Sequence, residues 1–176
     1  MSDQPTSEQL ERFKDLLCRR LGFEFGPDKA DWLSRLLSRR GDQLHLSLEA
    51  YLHLVRDEEA LEWQVLAQLV TVGETFFFRH QEQLAAYSEV LRCLLEEGRR
   101  VSRPLRVLSA GCSTGEEPYT LVMLAKEAGA DDRDVEFHAF DVNLESLAKA
   151  RAATFSEWAL RATPEELKAL WFRRDR

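Results

Sequence analysis

The chain has 176 residues, with 24 Lys+Arg against 31 Asp+Glu, a formal charge of −7. With 44% hydrophobic, 31% charged and 10% aromatic residues, the composition is that of a folded globular protein, long enough for one domain or two small ones. The acidic balance argues against a nucleic-acid partner, because phosphate binding needs clustered Lys and Arg; no apolar run reaches the roughly 18 residues of a membrane span, and Met1-Ser2-Asp3-Gln4-Pro5 lacks the charged and apolar regions of a signal peptide.

Periodicity predicts four short amphipathic helices in the first seventy residues. Ser7 caps the first, which carries Leu10, Phe13, Leu16, Leu17 and Leu21 and stops at Gly22. Pro27-Asp28 opens the second, with Trp32, Leu33, Leu36 and Leu37 on one face and an end near Gly41. Ser47 starts the third (Leu48, Tyr51, Leu52, Val55). The fourth begins near Glu58 and carries Leu61, Val65, Leu66 and Leu69. Brief links between such helices predict a small bundle over residues 1–70.

The stretch Thr71-Val72-Gly73-Glu74-Thr75-Phe76-Phe77-Phe78-Arg79-His80 has no helical period. Its three phenylalanines read as a core anchor for the link between domains, with Arg79 held beside a cleft. A helix from about Gln81 to Glu97 follows, closed by Gly98, and then a basic linker, Arg99 to Pro104. Residues 71–104 are thus expected to connect two domains. From Leu105 the pattern changes to a strand to Ala110, a turn from Gly111 to Gly115, a helix with Pro118 in its first turn and Gly129 at its end, a strand from Val135 to Phe140, and a helix capped by Asn143. This βαβα order predicts an α/β domain with a parallel sheet over residues 105–176. One more short helix is expected from Pro164 to Phe172.

The chemistry concentrates at Ala110-Gly111-Cys112-Ser113-Thr114-Gly115-Glu116-Glu117. A glycine turn between the first strand and helix of an α/β unit is where nucleotides bind, since glycine lets a ligand approach the backbone. A phosphate loop would place Lys after its last glycine; here Glu116 and Glu117 follow Gly115. Two carboxylates there complement the helix dipole, repel a pyrophosphate, and suit a cationic ligand. S-adenosylmethionine, with an ammonium, a sulfonium and no phosphate, fits. Asp141, at the end of the second strand, is placed to accept from both ribose hydroxyls, or alternatively to cap the next helix. Cys112 has no His near it and reads as a small residue in a ligand loop; His138 reads as structural. Cys18, Cys93 and Cys112 form no CxxC pair, so neither zinc nor a disulfide framework is expected.

Two segments resemble the CheR family, the S-adenosylmethionine-dependent methyltransferases of bacterial chemotaxis receptors: Thr71 to Arg79, and Leu105 to Tyr119 with its Ser113-Thr114-Gly115-Glu116-Glu117-Pro118-Tyr119 core. Asp141-Val142-Asn143 and Phe155-Ser156-Glu157-Trp158 continue the likeness. The resemblance implies a helical N-terminal domain followed by a Rossmann-like methyltransferase domain, and methyl transfer from S-adenosylmethionine to glutamate side chains of chemoreceptors; with neither a signal peptide nor an apolar span read in the sequence, the cytoplasm is the default expectation. It implies that Gly73, Thr75, Arg79, Gly111, Glu117 and Asp141 contact the cofactor, with Glu117 on the methionine ammonium, Asp141 on the ribose, and Arg79 also in a catalytic role. Some members carry Asn where Gly73 stands, so only backbone can serve there. No metal is implied. A glutamate is ionised at neutral pH (pKa about 4.3), so the attacking group needs no general base and positioning supplies the rate.

Lys29, Arg35, Arg39 and Arg40 cluster on and beside the second helix; Arg35 and Arg39 share a face that would attract Glu-rich receptor helices. After Pro104 only two strands can be placed, so the sheet is expected to be truncated. The family's Asn-rich loop and the aromatic residues facing the methyl group have no counterpart. The chain is therefore expected to be the N-terminal portion of a longer protein, with little or no methyl transfer alone. The competing expectation is a non-catalytic module that binds a receptor or signalling partner.

Overall fold

The computed structural model describes residues 4–100 and 103–174. The element order is α1 (Ser7–Leu21), a 3-10 turn (Pro27–Lys29), α2 (Ala30–Gln43), α3 (Leu48–Leu54), α4 (Glu62–Val70), α5 (Gln81–Arg100), β1 (Leu105–Ala110), α6 (Glu116–Glu127), β2 (Val135–Phe140), α7 (Leu144–Ala152) and α8 (Glu165–Trp171). The chain is α/β and divides into two units, residues 1–69 and 70–176.

The first unit is all-helical. The cap of α1 is Thr6, one residue before the expected Ser7. Thr6 Oγ1 accepts from the Gln9 amide and Gln9 Oε1 accepts from the Thr6 amide, a reciprocal pair that Ser7 has no equivalent for. Gly22 closes α1 at φ +73°. Gly41 does not stop α2; it is buried inside the helix. Residues 58–61 are not helical, and α4 starts at Glu62. Phe13, Leu17, Leu33, Leu37, Tyr51, Leu52 and Leu66 are essentially inaccessible and form the core. Within it the Arg40 guanidinium spans both oxygens of Glu62, at 2.6 and 2.7 Å, while Tyr51 OH donates to Glu62 Oε1 at 2.7 Å. Burial and that carboxylate push the Tyr51 phenol well above its ordinary range. Arg40 is thus an internal partner, not part of a solvent-facing basic cluster; Arg35 and Arg39 are exposed.

In the second unit β1 and β2 pair in parallel, from Leu105 opposite Val135 to Ala110 opposite Phe140. Alternation sends Leu105, Val107, Val135 and Phe137 to one face, where they pack with Leu91 and Leu95 of α5 and Ala125 of α6. On the other face Leu108 and Phe140 are more than half exposed. Gly98 lies inside α5. Arg99, expected in a linker, is helical and pairs with Asp134, donating also to Gly129 O at 2.7 Å; linker residues 101–102 fall outside the described part. Phe77 and Phe78 are buried in a second core with Met123, Ala159 and Leu160. Phe77 meets Phe155 and Phe172 edge-on at 4.7 and 4.8 Å. The anchor is therefore internal to this unit. Phe76 is not in that core; it is half-buried under Arg161. Among the described residues no helix is long and apolar enough to cross a membrane.

Candidate functional site

The glycine turn sits where β1 ends. The amides of Gly111 and Cys112 both donate to Phe140 O, at 2.9 and 3.0 Å, so the pairing of the strands carries on into the turn. Three residues of the turn have positive φ: Gly111 at +81°, Ser113 at +47° and Gly115 at +100°. An added Cβ on Gly115 would lie 3.0 Å from Ala150 Cβ and 3.2 Å from its Cα, so glycine is required for α6 and α7 to approach. An added Cβ on Gly111 would meet no protein atom within 4 Å. The backbone there faces open space beyond the carboxyl ends of parallel strands, where ligands of open α/β sheets bind.

Ser113 is not glycine, and its left-handed conformation is held from two sides. Its amide donates to Asp141 Oδ2 at 2.7 Å, and its hydroxyl donates to Gly73 O at 3.2 Å. The other Asp141 oxygen accepts from the Asn143 amide at 2.8 Å. The cap of α7 is Asn143, whose side chain accepts from the Ser146 amide at 3.0 Å. Asp141 therefore does not cap the helix; it ties the glycine turn to the end of β2. Each of its oxygens retains a lone pair for a further donor.

The two glutamates at the start of α6 have different environments. Glu116 is buried, with Oε2 accepting from the Thr114 hydroxyl at 2.6 Å. Glu117 is exposed, and its Oε1 accepts from Ser109 Oγ at 2.6 Å. Ser109 itself is buried in β1. It was missed in the sequence, although a hydroxyl at an inward position of an otherwise apolar strand, one residue before the turn, is the signal that marks it. Carboxylates in the first turn complement the helix dipole and leave the Glu117 charge facing outward.

The loop 71–80 contributes Gly73, in contact with Ser113, and half-buried Thr75. It is anchored by the amide of Phe77 on Ala159 O at 3.0 Å and that of Phe78 on Thr120 Oγ1 at 3.2 Å. Arg79 is exposed; its guanidinium turns back on the loop and donates to Glu74 O at 2.6 Å. Cys112 is buried, and desolvation together with the nearby Asp141 charge pushes its thiol up, away from the thiolate a nucleophile needs. His138 is on the open sheet face beside Glu136, 3.0 Å away. No group of three or more His, Cys, Asp or Glu side chains with metal-binding placement occurs among the described residues.

Parallel strands, a strained glycine turn and an acidic residue closing the second strand define a Rossmann-like cofactor-binding unit. Comparison with known families sharpens that class: residues 73–176 match the CheR methyltransferase SAM binding domain and residues 8–71 the CheR methyltransferase all-alpha domain. The chain belongs to the CheR methyltransferase family. It is 33% identical over 172 residues to chemotaxis protein methyltransferase 2 of Pseudomonas aeruginosa, an alignment covering 96% of this chain and 59% of the relative. It is 32% identical over 166 residues to the chemotaxis protein methyltransferase of Escherichia coli, covering 92% and 56%. It is also 32% identical over 163 residues to the probable biofilm formation methyltransferase WspC of Pseudomonas putida, covering 92% and 38%. The chain thus spans between 38% and 59% of the length of these relatives.

Proposed function

We propose that this chain carries the cofactor-binding elements of a protein-glutamate methyltransferase that uses S-adenosylmethionine and acts on chemoreceptors in the cytoplasm. The observation that carries the reading is the charge of the turn. Its exposed carboxylate, Glu117, is held by Ser109, and the two residues after Gly115 are glutamates where a phosphate loop carries Lys. The residues fit the cofactor: Glu117 would hold the methionine ammonium, the free lone pairs of Asp141 would accept the ribose hydroxyls, and the open face of Gly111 would admit the ligand against the backbone. Gly73 contributes backbone, Thr75 a hydroxyl and Arg79 a guanidinium from the loop tied to Ser113.

When bound, the cofactor supplies an electrophilic methyl on sulfonium. The chain's part is to hold its two polar ends at fixed points so that a glutamate oxygen of the substrate lines up behind the methyl. Positioning of this kind is a large source of rate. Arg79, released from Glu74 O, is the group we assign to arranging the cofactor or the incoming carboxylate.

We assign receptor recognition to the helical unit of residues 1–70. The exposed Arg35 and Arg39 on α2 present a cationic face to a glutamate-bearing helix. Reversing both charges is expected to weaken receptor binding at low ionic strength; unchanged binding refutes that assignment.

Titration calorimetry with S-adenosylhomocysteine and with NAD tests the cofactor reading. S-adenosylhomocysteine is expected to bind, and Glu117→Gln to weaken it by roughly tenfold, the scale of one charge-assisted hydrogen bond. Binding of NAD alone overturns the reading. Arg79→Ala with unchanged S-adenosylhomocysteine affinity in this chain and unchanged methyl transfer by the full-length enzyme removes the role given to Arg79.

A further inference from the structure

Arg161 has no part in the site described so far, yet it holds the loop that supplies three of its residues. It lies in the irregular segment between α7 and α8, with its side chain about three-quarters buried. Its guanidinium carbon stands 3.8 Å from the centroid of the Phe76 ring and 4.3 Å from that of Trp158. Nη1 donates to Trp158 O at 2.8 Å, and Nη2 lies 3.6 Å from Glu74 Oε1. A planar cation stacked on two aromatic faces is a strong use of arginine, and one that lysine reproduces only in part. Trp158 is 71% exposed. An exposed tryptophan gains little from the core, so its contact of note is this stack.

Glu74 and Phe76 lie among the residues assigned to the cofactor. The carbonyl of Glu74 accepts the Arg79 guanidinium, and Gly73, its neighbour, accepts from Ser113 of the glycine turn. Thr75 lies between Glu74 and Phe76, the two residues that Arg161 touches. A single side chain thus grips the loop at two alternate positions, and the residues between and beside them are those assigned to the cofactor.

We propose that Arg161 is a positioning residue for the cofactor loop: stacked on Phe76 and Trp158 and facing Glu74, it fixes the backbone of residues 73–79 against the segment that follows α7. The proposal rests on the cofactor reading above for its consequence in binding, but not for the clamp itself.

Hydrogen–deuterium exchange and calorimetry on the 176-residue chain separate the two. Arg161→Met keeps the apolar stem and removes the cation. It is expected to speed exchange in peptides covering residues 72–80 by about tenfold, the opening change for about 1.4 kcal/mol, while α6 keeps its wild-type protection. The dissociation constant for S-adenosylhomocysteine is expected to rise about fivefold, because binding then draws on a smaller population of ordered loop. Arg161→Lys, which keeps a cation over the ring, retains most of both properties. Phe76→Leu, which keeps apolar bulk without a π face, reproduces the Arg161→Met result and decides the matter if that variant does not fold. Unchanged exchange at 72–80 overturns the clamp. Faster exchange with unchanged affinity overturns the positioning role. Failure of the wild-type chain to bind S-adenosylhomocysteine overturns the cofactor reading instead, and the exchange result then judges the clamp alone.

Discussion

Gly111 and Gly115 bracket the same turn and both have positive φ, yet alanine at each is expected to fail for a different reason. At Gly115 the added methyl would stand 3.0 Å from Ala150 Cβ, 3.2 Å from Ala150 Cα and 3.2 Å from Tyr119 Cε2. Backbone of α7 is on one side and a ring on the other, and that ring's hydroxyl is itself fixed to Ala150 O at 3.0 Å, so relief requires the helices to part. Left-handed strain costs about 1–2 kcal/mol for a residue with a Cβ, and overpacking adds about 1–3 kcal/mol. The smaller entropy of the unfolded alanine chain returns about 0.4–1 kcal/mol. The net expectation for Gly115→Ala is a loss of about 2–4 kcal/mol. At Gly111 the methyl would meet nothing within 4 Å, so only the strain remains and the net loss is about 1 kcal/mol. The same methyl, however, fills the open face on which the cofactor is proposed to lie. Urea denaturation and calorimetry with S-adenosylhomocysteine are the paired assays. Gly115→Ala is expected to lose stability, and Gly111→Ala to lose affinity by more than about tenfold, or ~1.4 kcal/mol, while remaining folded. Equal destabilisation by the two substitutions would refute the packing argument, and wild-type affinity in Gly111→Ala would refute the placement of the ligand.

Glu62→Gln leaves the part-buried Arg40 without its counter-charge, a loss of about 1.5–3 kcal/mol; a denaturation midpoint equal to wild type would show that the network contributes nothing. The Arg99 guanidinium holds the Asp134 carboxyl below its usual range, so its contribution is present above the unfolded carboxylate pKa and is lost as pH falls through the lower folded value. Asp134→Asn is accordingly expected to lower stability at neutral pH and to narrow its gap from wild type in acid, with a constant gap across pH counting against this pairing. Cys93 is exposed and Cys112 is buried with its thiol pushed up; iodoacetamide at pH 7.5 is expected to label Cys93 and spare Cys112, as read by peptide mass spectrometry.

Much of the architecture was legible in the linear chain because its signals are local. β1 and β2 run over the residues read as strands, Leu105–Ala110 and Val135–Phe140, since short apolar runs bounded by glycine and polar turns, alternating in the second, have few other readings. Asn143 and Ser47 cap the helices that follow them, because a short polar side chain reaches the amide three residues on. Helix ends were read less well. Gly41 and Gly98 looked like stops but lie within helices, where glycine costs only about 1 kcal/mol against alanine. Gly41 is kept there because a Cβ would come within 3.2 Å of Leu46 O.

By itself the sequence determined the α-then-α/β order, the glycine turn and the sign of its charge. All of these follow from residue type and spacing along the chain. Tertiary structure alone decided which polar groups meet. Ser109 reaches Glu117 across 8 residues, Ser113 reaches Asp141 across 28, and the same serine reaches Gly73 across 40. Arg40 leaves the basic cluster it shares with Arg39 for Glu62, 22 residues away, and Arg161 stacks on Phe76. Periodicity reports which face a side chain occupies, but a hydrogen bond or a stacked cation depends on distances of a few ångströms between elements, and those are set only when the elements pack.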